Sequence, residues 1–330
     1  MASARREIRP GRNTAEDQMK KQELSARWLT PPTGGALPSI LDLFRQEGSV
    51  SVGDSPFGLL HGLADFRGLP LTELRRLRSL QIRGIDLSGA NLARLNIENC
   101  VFENVNFEQA DLTNVGDFGN AFEDCRFLRA SFGAAVLGYS GTRYNGCLFD
   151  RTRFARTLLV RPEFSGCRFL DCHLKNIDFN GSSFDHCAFA GRLDDVWFRG
   201  GFPLPVDTEK YGAARPNTMT GVSFCDASLS GITFSDRCDL STIVLPREGH
   251  YRLYSGWKKR LEGLEKVIEA WPDSERREAD IFVAAYMVHA AKQEWYLVNC
   301  DEIIQEYRGS VGRKIIDGLG APDRVSPQVN

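Results

Sequence analysis

The chain has 330 residues, with 41 Lys+Arg against 43 Asp+Glu for a formal net charge of -2, and is 42% hydrophobic and 25% charged. These are globular values that exclude wholesale disorder, and the missing basic excess excludes a dedicated nucleic-acid binder. Two counts ask for a structural cause: 21 Phe against 5 Trp and 8 Tyr, and nine Cys.

Residues 1–36 read as a tail with a short helix. Arg5, Arg6, Arg9, Arg12, Lys20, Lys21 and Arg27 have no apolar run behind them, which is not a secretory signal. Residues 14–29 predict a helix capped by Thr14 with Asp17 in its first turn, and "TPPTGG" then acts as a linker. No apolar run approaches the roughly 18 to 20 residues that a membrane span needs. No cysteine pair forms C-x-x-C, so reduced thiols in a cytoplasm are expected, without membrane, metal or cofactor. Residues 37–80 predict an N-terminal cap: a helix over Ser39–Gln46, an irregular stretch, and a basic helix in "LTELRRLR".

From Ile82 a bulky apolar residue recurs every fifth position, through Phe102, Phe107, Phe122, Phe127 and on to Phe189, with a two-residue slip before Tyr144. The phase returns at Met219, Phe224, Leu229 and Phe234, and of the 26 positions 25 are apolar and 14 are Phe. A period of five fits neither the helix (3.6) nor the strand (2.0) and predicts a solenoid that turns a corner every five residues. Asp117 is the one polar occupant; either Phe118 takes the inward place through a bulge or that coil is distorted.

Segments such as "IDLSGANLARLNIENCVFENVNFEQADL" and "CRFLDCHLKNIDFNGSSFDHCAF" resemble the pentapeptide-repeat family. The resemblance implies a right-handed quadrilateral β-helix with 20 residues per coil, here over 81–245. Cys147, Cys167 and Cys187 are spaced by 20, and Cys125 joins them once the slip is removed, so the four stack in one column. Cys100 and Cys172 take the same small inward position on other sides.

Residues 190–218 break the phase and read either as a functional loop, carrying Trp197, Phe198, Phe202, Lys210 and Tyr211, or as a tolerated insertion. Residues 246–320 read as a helical domain, with Trp257, Leu261, Leu264, Ile268 and Trp271 on one stripe, and 321–330 as a tail. Asp273 or Ser274 is expected to cap a following helix, and Ile281–Gly318 to form one long or two shorter helices. The stripe could close the solenoid or pair two chains, and in the resembled family C-terminal elements commonly mediate dimers.

No Walker loop, G-x-G-x-x-G, G-x-S-x-G or HExxH motif is present, so catalysis is not expected. His289, Glu294 and Cys300 are candidates by residue type alone. The charge pattern says more. Residues 81–125 hold two basic and eight acidic residues (net -6), and 126–175 nine basic and three acidic (net +6). Coil stacking places Glu103 above Glu123, Arg129 above Arg151 and Arg153 on His173, with Arg126 two coils from Arg168 and Arg156 and Lys175 nearby. The resemblance implies a DNA-like rod that binds a type II topoisomerase such as gyrase and protects it from poisons. The +6 block opposes continuous phosphate mimicry and leaves an alternative, a scaffold with separate acidic and basic patches that holds a protein partner and no specific nucleic acid.

Overall fold

A computed structural model describes residues 21–30 and 33–327; the predicted Thr14 cap and part of the linker lie outside them. The repeats form a four-sided parallel β-solenoid whose longest sheet stacks seven strands. Register is strict: Phe102 pairs with Phe122, Phe122 with Tyr144, Tyr144 with Phe164 and Phe164 with Phe184. The central rings stack in two files, Phe102–Phe122–Tyr144–Phe164–Phe184 and Phe107–Phe127–Phe149–Phe169–Phe189, with centroids 4.8 to 5.2 Å apart. That spacing is the distance between neighbouring strands, so each Phe buries both ring faces.

Corners fall two residues after each central residue and lie in the left-handed backbone region. One corner file is Gln109, Arg129, Arg151 and Asp171, and another Asn114, Ala134, Arg156 and Asn176. Many corners are thus not glycine, although L side chains there are uncommon; the parallel ladders on both sides hold them in place.

The cysteine column has a hydrogen-bonding role. Cys125, Cys147, Cys167 and Cys187 donate their thiols to the carbonyls of Phe102, Phe122, Tyr144 and Phe164, at 3.2 to 3.5 Å. Cys172 does the same to Phe149, and Thr157 to Phe132 at 2.8 Å. Small inward donors therefore add a second hydrogen bond to carbonyls of the ladders that line the core.

Asp117 departs from the first expectation, while its strand does meet a register shift in the next coil. It points inward and is 1% exposed, while Phe118 stays at the surface against Tyr139. Its carboxylate accepts from Asn120 Nδ2 (2.5 Å), Gly138 N (3.0 Å), Thr142 Oγ1 (2.8 Å) and the Tyr144 hydroxyl (2.9 Å). Burial raises its pKa, against the pull of these four donors. The slip before Tyr144 is the lengthened corner at 138–141, and Asp117 anchors it from below.

The N-terminal cap is more deeply built in than a tail. Helix α1 (Lys21–Ala26) leads to Trp28, fully buried with its indole N–H on the Arg67 carbonyl, and α2 (Leu37–Arg45) buries Ile40, Leu41 and Phe44. "LTELRRLR" is not a helix: a short 3-10 turn precedes a strand, Arg76–Arg78, that pairs with Asn96–Glu98. With Ala64 beside Ile85 and Pro70 beside Asn91, the first coil begins well before residue 81.

Asp65 locks this cap by binding Arg27 at 2.5 Å and Arg67 at 3.0 Å. Burial alone would raise its pKa, but the two guanidiniums outweigh it and hold the carboxyl at about 2. A depressed pKa stabilises above the unfolded value of 3.8 and is lost as pH falls through that window toward 2. Acid titration followed by near-UV circular dichroism should show the wild type losing about 2 kcal/mol there, and Asp65→Asn showing no such loss.

The break after Phe189 is shorter than expected. A seven-residue strand, Ala188–Asp194, runs through one corner, and Leu193 and Phe198 rejoin the core after a four-residue step. Phe198 lies between Phe179 and Phe234 at 5.2 and 5.3 Å. The true insertion lies within 200–216 and carries α3 (Pro205–Tyr211).

Residues 246–320 are not purely helical. Strands Tyr251–Tyr254, Tyr296–Asn299 and Arg324–Val325 form an antiparallel sheet, so the expected tail is part of the domain. Around it lie α4 (Trp257–Ile268), α5 (Asp273–Ala290), α6 (Cys300–Glu306) and α7 (Ser310–Gly318). Pro272 occupies the α5 N-cap without a side-chain cap, so neither Asp273 nor Ser274 serves. The α4 stripe fills a second core with Phe282, Ile303 and Ile315. The sheet, through Tyr251, Leu253 and Leu297, closes the solenoid core. Gln293 pairs with both the N–H and the carbonyl of Cys238, and Arg324 caps the carbonyls of Leu240, Ser241 and Ile243.

Candidate binding surface

The solenoid interior is packed, so the candidate groups are the outward residues on either side of each central Phe. On the face of the first ring file, Glu103 pairs in register with Glu123. Its charge is weaker than the sequence count suggests. Asp86 and Asp117, two of the eight acids, are buried, Arg83 bonds Glu103 at 3.0 Å, and Arg76 bonds Glu98 at 3.1 Å.

The basic residues gather on the next two faces. Arg126, Leu148 and Arg168 occupy successive strands in one outward column. Arg129 and Arg151 share a corner file, Arg156 takes a corner in the next, Arg153 pairs with His173, and Lys175 follows in the strand Leu174–Lys175. All six of these arginines and the lysine are exposed. Arg151 bonds Asp150 at 2.9 Å, whereas Arg126, Arg129, Arg153, Arg156, Arg168 and Lys175 have no ion pair among the described residues. Sequence reasoning missed Leu128, Leu148 and Leu170, half-buried on the outside between these arginines. Their signal was an apolar residue next to the central Phe, in "RFL", "LFD" and "RFL", where the repeat takes polar ones.

The five loop candidates divide. Phe198 is core. Trp197 stands on the same strand, with the Arg199 guanidinium 3.7 Å from its ring centre and His289 edge-on at 5.7 Å. Phe202 and Tyr211 pack at 5.7 Å, Tyr211 meets Tyr139 of the solenoid at 5.4 Å, and Lys210 lies over the Tyr211 ring. The insertion therefore folds back on the solenoid and does not project. A deletion of 190–218 would remove core residues; a test of the loop must stay within 201–214.

His289, Glu294 and Cys300 serve separate contacts: His289 on Trp197, Glu294 accepting from Gly256 N, and Cys300 buried with its thiol pushed up to about 11 by burial. A recess of about 830 Å³ lies between the C-terminal sheet and α6 and α7, where His250 Nδ1 donates to Asp301 at 2.8 Å. Among the described residues no three His, Cys, Asp or Glu converge as a metal set, and no helix is long and apolar enough to cross a membrane. On α5, Ile281, Ala284, Ala285 and Val288 are all exposed at i, i+3, i+4 and i+7, an uncovered apolar stripe.

Residues 81–115 match the family model "Pentapeptide repeats" in 8 copies. No curated protein matches the chain at a significant level. Among solved structures, the chain is similar to a trypsin-treated variant of QnrB1, a plasmid-mediated fluoroquinolone resistance protein, at 14% identity and TM-score 0.34, covering 57% of this chain and 87% of that one. It is also similar to HetL, a pentapeptide-repeat protein involved in heterocyst differentiation regulation from the cyanobacterium Nostoc, at 13% identity and TM-score 0.32, covering 56% and 88%. A third is Rfr23 from the cyanobacterium Cyanothece, at 11% identity and TM-score 0.21, covering 52% and 90%. The five-residue phase, the four-sided coil and the family match over 81–115 agree, and this chain carries a pentapeptide-repeat solenoid.

Proposed function

We propose that the chain is a non-catalytic binding protein whose solenoid holds a protein partner through its two basic faces. The observation that supports this most is the asymmetry of pairing. Arg126, Arg129, Arg153, Arg156, Arg168 and Lys175 stand on adjacent faces without ion pairs among the described residues, while two acids of the acidic block are paired, Glu98 with Arg76 and Glu103 with Arg83. Exposed like charges lower stability slightly and raise the on-rate for an oppositely charged partner. Affinity purification from host extract should lose the partner with Arg151→Glu/Arg153→Glu and keep it with Glu103→Lys/Glu123→Lys; the opposite pattern would refute the reading.

The narrower reading is protection of a type II topoisomerase, gyrase, from a poison by DNA-like shape. The in-register Glu103–Glu123 pair supports it, and the basic faces oppose it. Gyrase supercoiling with and without a fluoroquinolone decides: inhibition or rescue by the purified chain supports that reading, and no effect removes it.

The uncovered α5 stripe supports a homodimer through the C-terminal helices, since small residues at its centre let two helices approach closely. Val288→Asp should convert a dimer to a monomer in sedimentation equilibrium without loss of thermal stability. A wild type that is monomeric at every concentration would exclude this seam.

A further inference from the structure

The outer surface around Leu148 carries a pattern that charge alone does not explain. In three successive coils the outward pairs are Arg126 and Leu128, Leu148 and Asp150, and Arg168 and Leu170. The partners flank the inward Phe127, Phe149 and Phe169, so each pair is about 7 Å apart along its strand and each coil about 4.8 Å from the next. Leu148 thus lies between Arg126 and Arg168, with Leu128 and Leu170 diagonal to it. Arg129 and the Arg151–Asp150 pair border the leucines at the corner. The result is a flat strip in which leucines alternate with guanidiniums, with Asp150, held by Arg151, between Leu128 and Leu170.

We propose that this strip binds an acidic peptide segment of a partner protein, its carboxylates on Arg126, Arg129 and Arg168 and its apolar side chains on Leu128, Leu148 and Leu170. The assignment rests on the binding-rod reading above and specifies the partner's chemistry. Guanidiniums with no carboxylate partner among the described residues favour carboxylates from outside. A nucleic-acid backbone fits less well. Half-buried leucines offer a phosphate chain nothing, whereas they can pack against the apolar side chains of a peptide. A peptide that alternates acidic and apolar residues satisfies both components, as cross-strand neighbours do within a sheet.

Fluorescence anisotropy on the full chain tests this with three labelled probes: an alternating Glu-Leu peptide, a Glu-Ser peptide of equal length and charge, and a short DNA duplex. The wild type should bind the Glu-Leu peptide about tenfold more tightly than the Glu-Ser peptide. Leu148→Ser should erase that preference, and Arg126→Glu/Arg168→Glu should weaken both peptides. Both variants place residue types already tolerated outside, as at Ser131 and Glu163, and circular dichroism checks their fold. Equal affinity for the two peptides, tighter binding of DNA, or no effect of Leu148→Ser overturns the proposal. Concentration-dependent self-association that Arg126→Glu/Arg168→Glu abolishes, with no peptide binding, would assign the strip to a second copy and also overturn it. If these fail while the charge-reversed chain still loses its host partner, the broader reading stands and only this assignment falls.

Discussion

Phe149→Ala will destabilise the solenoid by about 3 to 5 kcal/mol, the range for emptying a large aromatic site in a packed core. Phe149 lies between Phe127 and Phe169 at 4.9 and 4.8 Å, meets Tyr144 at 5.8 Å edge-on, and is 1% exposed. The cavity cannot collapse, because the strands above and below are fixed by their ladders. In a stacked array each coil is stabilised only by its neighbours, so a gap at the centre also weakens the coupling of the two halves. Urea unfolding should therefore show a lower midpoint and a broader or split transition. A loss under about 1 kcal/mol with an unchanged transition would mean that the rings are not the main stabilising contact.

Asp117→Leu is the second large effect, and its sign is opposite to what the repeat pattern suggests. Leucine is an ordinary central residue, yet here it would leave the Tyr144 hydroxyl and Gly138 N–H without an acceptor in a buried site. Thr142 and Asn120 would each lose one of their contacts. Each stranded donor costs about 1 to 3 kcal/mol, which outweighs relief of the carboxylate's desolvation, for a net loss of roughly 3 kcal/mol. Adding Tyr144→Phe should recover part of it in thermal unfolding, because this removes one of the stranded donors. If Asp117→Leu is as stable as the wild type, the cluster does not hold the lengthened corner.

The regular part of the fold was legible because a five-residue phase carries its own register. The cysteine file, the Phe files and the stacking of Arg129, Arg151, Arg153 and His173 all follow from spacing alone. The two-residue slip before Tyr144 was read through, but legibility stopped at the later one after Phe189. Leu193 and Phe198 stayed hidden behind one four-residue step and the straightened corner at Ala188–Asp194. Asp117 was noticed, but its inward direction depends on Gly138, Thr142 and Tyr144, which only the folded corner brings to it. "LTELRRLR" has helix-forming residues, and ladder pairing with Asn96–Glu98 overrides that preference. The C-terminal strands are short apolar runs that periodicity does not separate from helix. For the surface, charge blocks gave the basic faces, while the pairing of Arg83 with Glu103 and the leucines between the arginines needed the coil register.

The claim that the basic faces contact a protein is tested most directly by site-specific photocrosslinking. A photoreactive phenylalanine analogue replaces Leu148 in one chain and Glu103 in another, and each is irradiated in host extract. Mass spectrometry should find one protein adduct at position 148, competed by the unlabelled wild type, and none at 103. An adduct at 103 with none at 148 would contradict the account and return the acidic column to the centre of the function.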